Sequence, residues 1–120
     1  LKRNLIAICL LISISSQGVA LTMTSWYPGT KHLTASCHQY RATGYTAAHR
    51  TLPFGTKLLL RNPETRRQVV VVVTDRGPFV RSRTLDVTPK VADVLGFKER
   101  GVAKLQMKKI GRLRHYTKHC

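Results

Sequence analysis

Two short segments of this 120-residue chain set polar groups among apolar ones in a pattern that could do chemistry. The first, Tyr45-Thr46-Ala47-Ala48-His49-Arg50-Thr51-Leu52-Pro53-Phe54-Gly55-Thr56, places one imidazole, His49, between small residues and a Pro-Phe-Gly turn. The second, Thr74-Asp75-Arg76-Gly77-Pro78-Phe79, puts a carboxylate where a valine run ends and a turn begins. Strand ends facing loops are where sites are usually built, and an imidazole with a carboxylate is the material of general acid–base catalysis. Taken singly, the same residues also read as a hydrogen-bonded structural histidine and a turn-capping aspartate. The acids are only Glu64, Asp75, Asp86, Asp93 and Glu99, so a calcium cage has almost no material. Cys37, His38 and His49, with His32 nearby, lack the tight paired spacings of a structural zinc site. Trp26 and Tyr27 could stack on sugar faces or fill a core.

These residues must be positioned by short strands. Gln68-Val69-Val70-Val71-Val72-Val73-Thr74 is β-branched throughout its five valines and predicts a central strand buried on both faces. Lys57-Leu58-Leu59-Leu60-Arg61 precedes it across the turn-rich connector from Asn62 to Arg67, a hairpin pattern. Val102 to Ile110 alternates, with Ala103, Leu105 and Met107 facing one side and Lys104, Gln106 and Lys108 the other, which predicts a half-buried strand. One short helix is signalled by Thr88 as N-cap, Pro89 at the first position, apolar Val91, Val94 and Leu95, and Gly96 as terminator. Many short strands and one short helix predict a small closed barrel. The stretch 111–120, with Arg112, Arg114, His115, Lys118 and His119, reads as a solvated basic extension.

The composition excludes disorder and collagen-like or coiled-coil chains: hydrophobic residues make up 42%, charged residues 22%, and the 8 Gly and 5 Pro are few. The length suits a single domain. Its 21 Lys and Arg against 5 acids give a formal charge of +16, which calls for an anionic partner or surface. Lys2 and Arg3, the apolar run from Leu5 to Ile12, and the small-residue end at Gly18-Val19-Ala20 together predict a signal peptide over residues 1–20. That run is shorter than the roughly 20 apolar residues of a spanning helix, so no stable membrane anchor is expected. Export makes nucleic acid a poor target. Beyond the expected cleavage, Cys37 and Cys120 form a possible disulfide, which an oxidising compartment permits; two unrelated thiols are the alternative.

Taken together, the strings Ser25-Trp26-Tyr27, Thr34-Ala35-Ser36, Thr46-Ala47-Ala48-His49, Leu52-Pro53-Phe54-Gly55-Thr56, Asp75-Arg76-Gly77-Pro78-Phe79, Leu85-Asp86 and Gly101-Val102-Ala103 resemble the rare lipoprotein A family. The resemblance covers about residues 24–110. It implies an all-β fold, a six-stranded double-psi β-barrel with one or two short helices over residues 21–110, ahead of the basic tail. It further implies a secreted or periplasmic lytic transglycosylase. Such enzymes cut peptidoglycan between N-acetylmuramic acid and N-acetylglucosamine and leave 1,6-anhydro ends. Carried over by position, Asp75 is the general acid and base and His49 its partner. Trp26, Tyr27, His38, Arg76 and Asp86 are the candidate substrate contacts, and Asp86, next to the start of the helix, also reads as a residue that holds that corner. Ordinary glycosidases need two flanking carboxylates; attack by the sugar's own hydroxyl can manage with one. No cofactor or metal is implied, and the expected partners of this monomer are glycan strands and the anionic wall or envelope surface. One position departs from the pattern. Where the family reads Gly-Glu after Thr-Ala-Ser, this chain has Cys37-His38. The alternative reading is therefore a non-catalytic, expansin-like glycan-binding barrel.

Overall fold

The structure is a computed structural model and describes residues 20–29 and 33–116. The expected signal segment up to residue 19, and Cys120 with the end of the tail, lie outside the described residues. The strands are β1 (Leu21–Trp26), β2 (Thr46–His49), β3 (Thr56–Asn62), β4 (Arg67–Asp75), β5 (Leu85–Val87) and β6 (Val102–Arg112), with one helix, α1 (Pro89–Leu95), between β5 and β6. They close into a six-stranded barrel in the order β1-β5-β2-β4-β3-β6. Pairs β1·β5 and β2·β4 are parallel and the others antiparallel, the mixed closed sheet of a double-psi barrel.

Closure decides which side chains are buried. A barrel has an inner and an outer face, so its strands alternate. The valine run accordingly does not bury both faces: Val71 and Val73 are fully enclosed, whereas Val70 is 37% exposed and Val72 half-buried. Ala47, Leu58, Leu60, Leu85, Val87 and Leu105 join them inside, and Val91, Ala92 and Leu95 of α1 together with Phe97 cover the core. The helix forms as its sequence dictates. Thr88 Oγ accepts from the Val91 amide, Pro89 opens the first turn and Gly96 ends it at φ 82.

Two expectations are corrected. Gln106 is buried rather than on the outer side, because β6 changes partners there, pairing with both Leu21 of β1 and Arg61 of β3. The tail is not wholly solvated: β6 runs through Arg112, and a 3-10 turn at Arg114–Tyr116 packs back on the barrel. The Leu113 amide donates to Gly55 O at 2.7 Å, and Tyr116 lies against the core. Gly55 has φ 89, and a Cβ there would stand 2.0 Å from Leu113 O, so only glycine lets this docking occur.

Candidate active site

The site is built along a row of paired residues running across four strands. Ser25 of β1 pairs with Asp86 of β5, Asp86 pairs with Ala48 of β2, and Ala48 pairs with Asp75 of β4. Leu85 and Val87 on either side of Asp86, and Ala47 beside Ala48, point into the core, so this row faces away from it; Ser25 and Ala48 are buried and Asp75 and Asp86 half-buried. Asp75 joins it through a register shift: Ala47 pairs with Val73 but Ala48 with Asp75, leaving Thr74 as an extra residue. In regular alternation Asp75 would follow Val71 and Val73 inward; the bulge re-aims it outward.

Asp75 is held on several sides. Its Oδ1 accepts from the amides of Ala35 and Arg76, both at 2.9 Å, and its Oδ2 accepts from the Tyr27 hydroxyl at 3.3 Å. Ala35 reaches it because the loop docks on β4, the Ser36 amide donating to Thr74 O at 3.1 Å. Burial, followed by the charge of Asp75, pushes the Tyr27 phenol far above its ordinary range, so it stays a donor. Oδ2 keeps a lone pair for a ligand. Asp86 accepts from the Ser25 hydroxyl and lies near enough to add to the field on Tyr27.

His49 stands at the end of β2, next to the residue that pairs with Asp75. Its Nδ1 accepts from the amides of Thr51 (3.1 Å) and Leu52 (3.0 Å). Nδ1 is therefore the unprotonated nitrogen, and the neutral ring carries its proton on Nε2. Burial, then the neighbouring charges of Arg50 and Arg76, lower its pKa below the ordinary histidine value. His49 is thus a neutral donor through Nε2.

The other expected contacts divide. Asp86 belongs to the row, and Tyr27 reaches it through its hydroxyl on Asp75. Trp26 alternates with Ser25, packs half-buried against the core and donates its indole N–H to Lys98 O at 2.9 Å. Arg76 is engaged within the protein. Its guanidinium lies 3.9 Å from the centroid of the Phe54 ring and donates to the carbonyls of His49 (3.2 Å) and Leu52 (2.8 Å), which braces the histidine turn. His38 shares a 3.0 Å hydrogen bond with Ser36 Oγ through Nδ1, and its ring centroid stands 4.4 Å from that of Tyr116. Cys37 has φ 68, a left-handed conformation that explains a glycine at this position of the family pattern. Cys37 is disulfide-bonded. Sequence reasoning missed the Ala35 amide and Ser25. Both sit in the matching strings, yet nothing local shows that an amide 40 residues before Asp75 will reach its carboxylate.

A family model described as lytic transglycolase matches residues 19–107. The chain belongs to that family. Among curated relatives, this lytic transglycolase-family barrel is 39% identical over 101 residues to a probable endolytic peptidoglycan transglycosylase RlpA of Nostoc, covering 84% of this chain and 27% of that protein. It is 45% identical over 86 residues to a protein of the same description from Aquifex aeolicus, covering 70% and 38%. It is also 38% identical over 88 residues to the endolytic peptidoglycan transglycosylase RlpA of Neisseria meningitidis, covering 72% and 37%. The chain thus spans between a quarter and two-fifths of the length of these relatives. In fold it resembles an expansin of Clavibacter michiganensis solved with cellohexaose, at TM-score 0.61 and 16% identity over 78% of this chain and 50% of that one. It likewise resembles cerato-platanin 3 of M. perniciosa, at TM-score 0.59 and 14% identity over 76% and 94%.

Proposed function

We propose that this barrel is an endolytic lytic transglycosylase of peptidoglycan, exported to the periplasm or cell wall by its N-terminal segment. The observation that carries the reading is the Asp75 carboxylate, re-aimed by the bulge and clamped by two amides and the Tyr27 hydroxyl, in the row that ends beside His49. In the proposed step, the bond from C1 of N-acetylmuramic acid to the leaving sugar oxygen breaks while the muramyl O6 bonds to C1. Asp75 takes the O6 proton and passes it to the leaving oxygen, so it ends as the carboxylate it began and no water is consumed. His49 donates Nε2–H to a glycan oxygen as charge develops. Bonding of the Ala35 and Arg76 amides to Oδ1 leaves Oδ2 as the oxygen presented to substrate.

Digestion of purified glycan strands, followed by mass analysis for anhydro-muramyl ends, tests this reading. The wild type is expected to release them and Asp75→Asn to release none. Strands left intact by the wild type would sink the enzymatic reading.

A second reading, a wall-binding barrel without activity, is favoured by one observation: the position where the family pattern has a carboxylate holds His38, whose ring is engaged by Ser36 and Tyr116. On that reading the wild type releases nothing, and Asp75→Asn pellets with insoluble wall as well as wild type does.

A further inference from the structure

Phe79 is the most exposed of the large apolar side chains in the described structure, at 87%. A phenyl ring left in water forgoes the stabilisation that burial would have supplied, so the fold itself gains little from it. The ring is nevertheless not on a loose tip. The Arg50 guanidinium donates to three carbonyls of the loop that carries it, those of Pro78 (2.8 Å), Val80 (3.4 Å) and Arg83 (2.7 Å). The Arg83 amide closes the same loop on Val80 O at 3.1 Å. On its inner side the ring backs onto Gly77, with Cε2, Cδ2 and Cζ standing 3.5–3.9 Å from where a Gly77 Cβ would be.

The backbone that carries the ring is therefore held by Arg50, and the ring lies beside Gly77. Arg50 follows His49 directly, and Gly77 lies two residues after Asp75, so the elements that set Phe79 are those that set the candidate acid and its partner. We propose that Phe79 is a preset platform on which a pyranose ring of the glycan stacks at a subsite flanking Asp75, and that Arg50 is the positioning residue that holds the platform. A pyranose presents an apolar C–H face, and a held aromatic face receives it at low entropic cost. The inference rests on the glycan reading above and names how that site grips its polymer.

The test uses the full chain in the Asp75→Asn background, so that binding is read without turnover and stands apart from the enzymatic reading. The probe is peptide-free glycan strands. Phe79→Ala is expected to weaken binding roughly tenfold, and Phe79→Trp to keep it. Arg50→Met is expected to weaken binding less, and to add nothing on top of Phe79→Ala, because the two act through one contact. In the otherwise wild-type chain Phe79→Ala should raise KM for strand cleavage. Phe79 ring protons, observed by NMR, should shift upfield or downfield as strands are added. Unchanged strand binding by a folded Phe79→Ala protein overturns the platform. So does loss of binding to vesicles containing phosphatidylglycerol with strand binding intact, which would make Phe79 and Val80 a membrane-inserting pair. If the wild type cleaves nothing while Phe79→Ala still loses glycan binding, the enzymatic reading falls and the platform stands.

Discussion

At the scale of single residues, hydrogen bonding assigns roles that residue type leaves open. Two amides on Nδ1 keep the His49 proton on Nε2, and the lowered pKa keeps the ring neutral. The sign for pH follows. Unfolded histidine takes up a proton near about 6.5, while folded His49 does so only at lower pH, so stability falls as pH drops through that interval. Denaturant midpoints at pH 7.5 and 5 should differ in that sense, and His49→Asn should remove its share of the difference. An NMR titration should find the Nε2–H tautomer, protonating below the ordinary histidine range. Tyr27 supplies a hydroxyl to Asp75 Oδ2 from a phenol that stays protonated. Removing it in Tyr27→Phe should lower kcat for strand cleavage about 10- to 100-fold, the worth of a hydrogen bond to a charged group, and a rate within twofold of wild type would remove Tyr27 from the mechanism.

At the scale of elements, the informative positions are those where the backbone does something a side chain cannot tolerate. Gly55→Ala must push the strand-to-turn junction away from Leu113 O. The expected result is a loss of several kcal/mol, about 3 or more, with the 3-10 turn released; calorimetry and limited proteolysis after residue 112 check it. Arg66 closes the β3–β4 hairpin at φ 62, a conformation that costs an L-residue about 1 kcal/mol. Arg66→Gly should therefore raise the melting temperature slightly or leave it level, and a clear fall would show that its side chain matters. The helix was legible in advance because its signals are local: a cap hydroxyl, a proline and a glycine each act within one turn. The strands were legible from β-branching and alternation. Burial on both faces was wrongly assigned to the valine run, because a run of one residue type carries no phase, and only closure of the sheet makes Val71 inner and Val70 outer.

At the scale of the whole molecule, charge is distributed unevenly. Lys57 and Arg61 of β3 and Lys104, Lys108, Lys109 and Arg112 of β6 lie on adjacent strands that carry no acid. Glu64 is paired with Arg100 at 2.7 Å, and Asp75 and Asp86 lie in the row, on β4 and β5. The β3–β6 face is the part of the barrel suited to an anionic wall. Pelleting with insoluble wall should weaken steeply with added salt. Lys104→Gln, Lys108→Gln and Lys109→Gln together should flatten that dependence, while cleavage of peptide-free strands at high salt should be little altered; salt-insensitive pelleting would dismiss the basic face.

What the amino-acid order determined unaided was everything carried by short range: strand-forming runs, the capped helix, the excess of cations, and the strings through which His49 and Asp75 were picked out. Tertiary structure alone decided their meaning. It inserted Thr74 as a bulge so that Asp75 turns outward, brought the Ala35 amide to its carboxylate, packed Trp26 against the core, tied Arg76 to the histidine turn, and left Phe79 in the open. The reason is physical: propensity and capping act between near neighbours, whereas the direction a side chain takes in a closed barrel depends on register with strands far away in the chain.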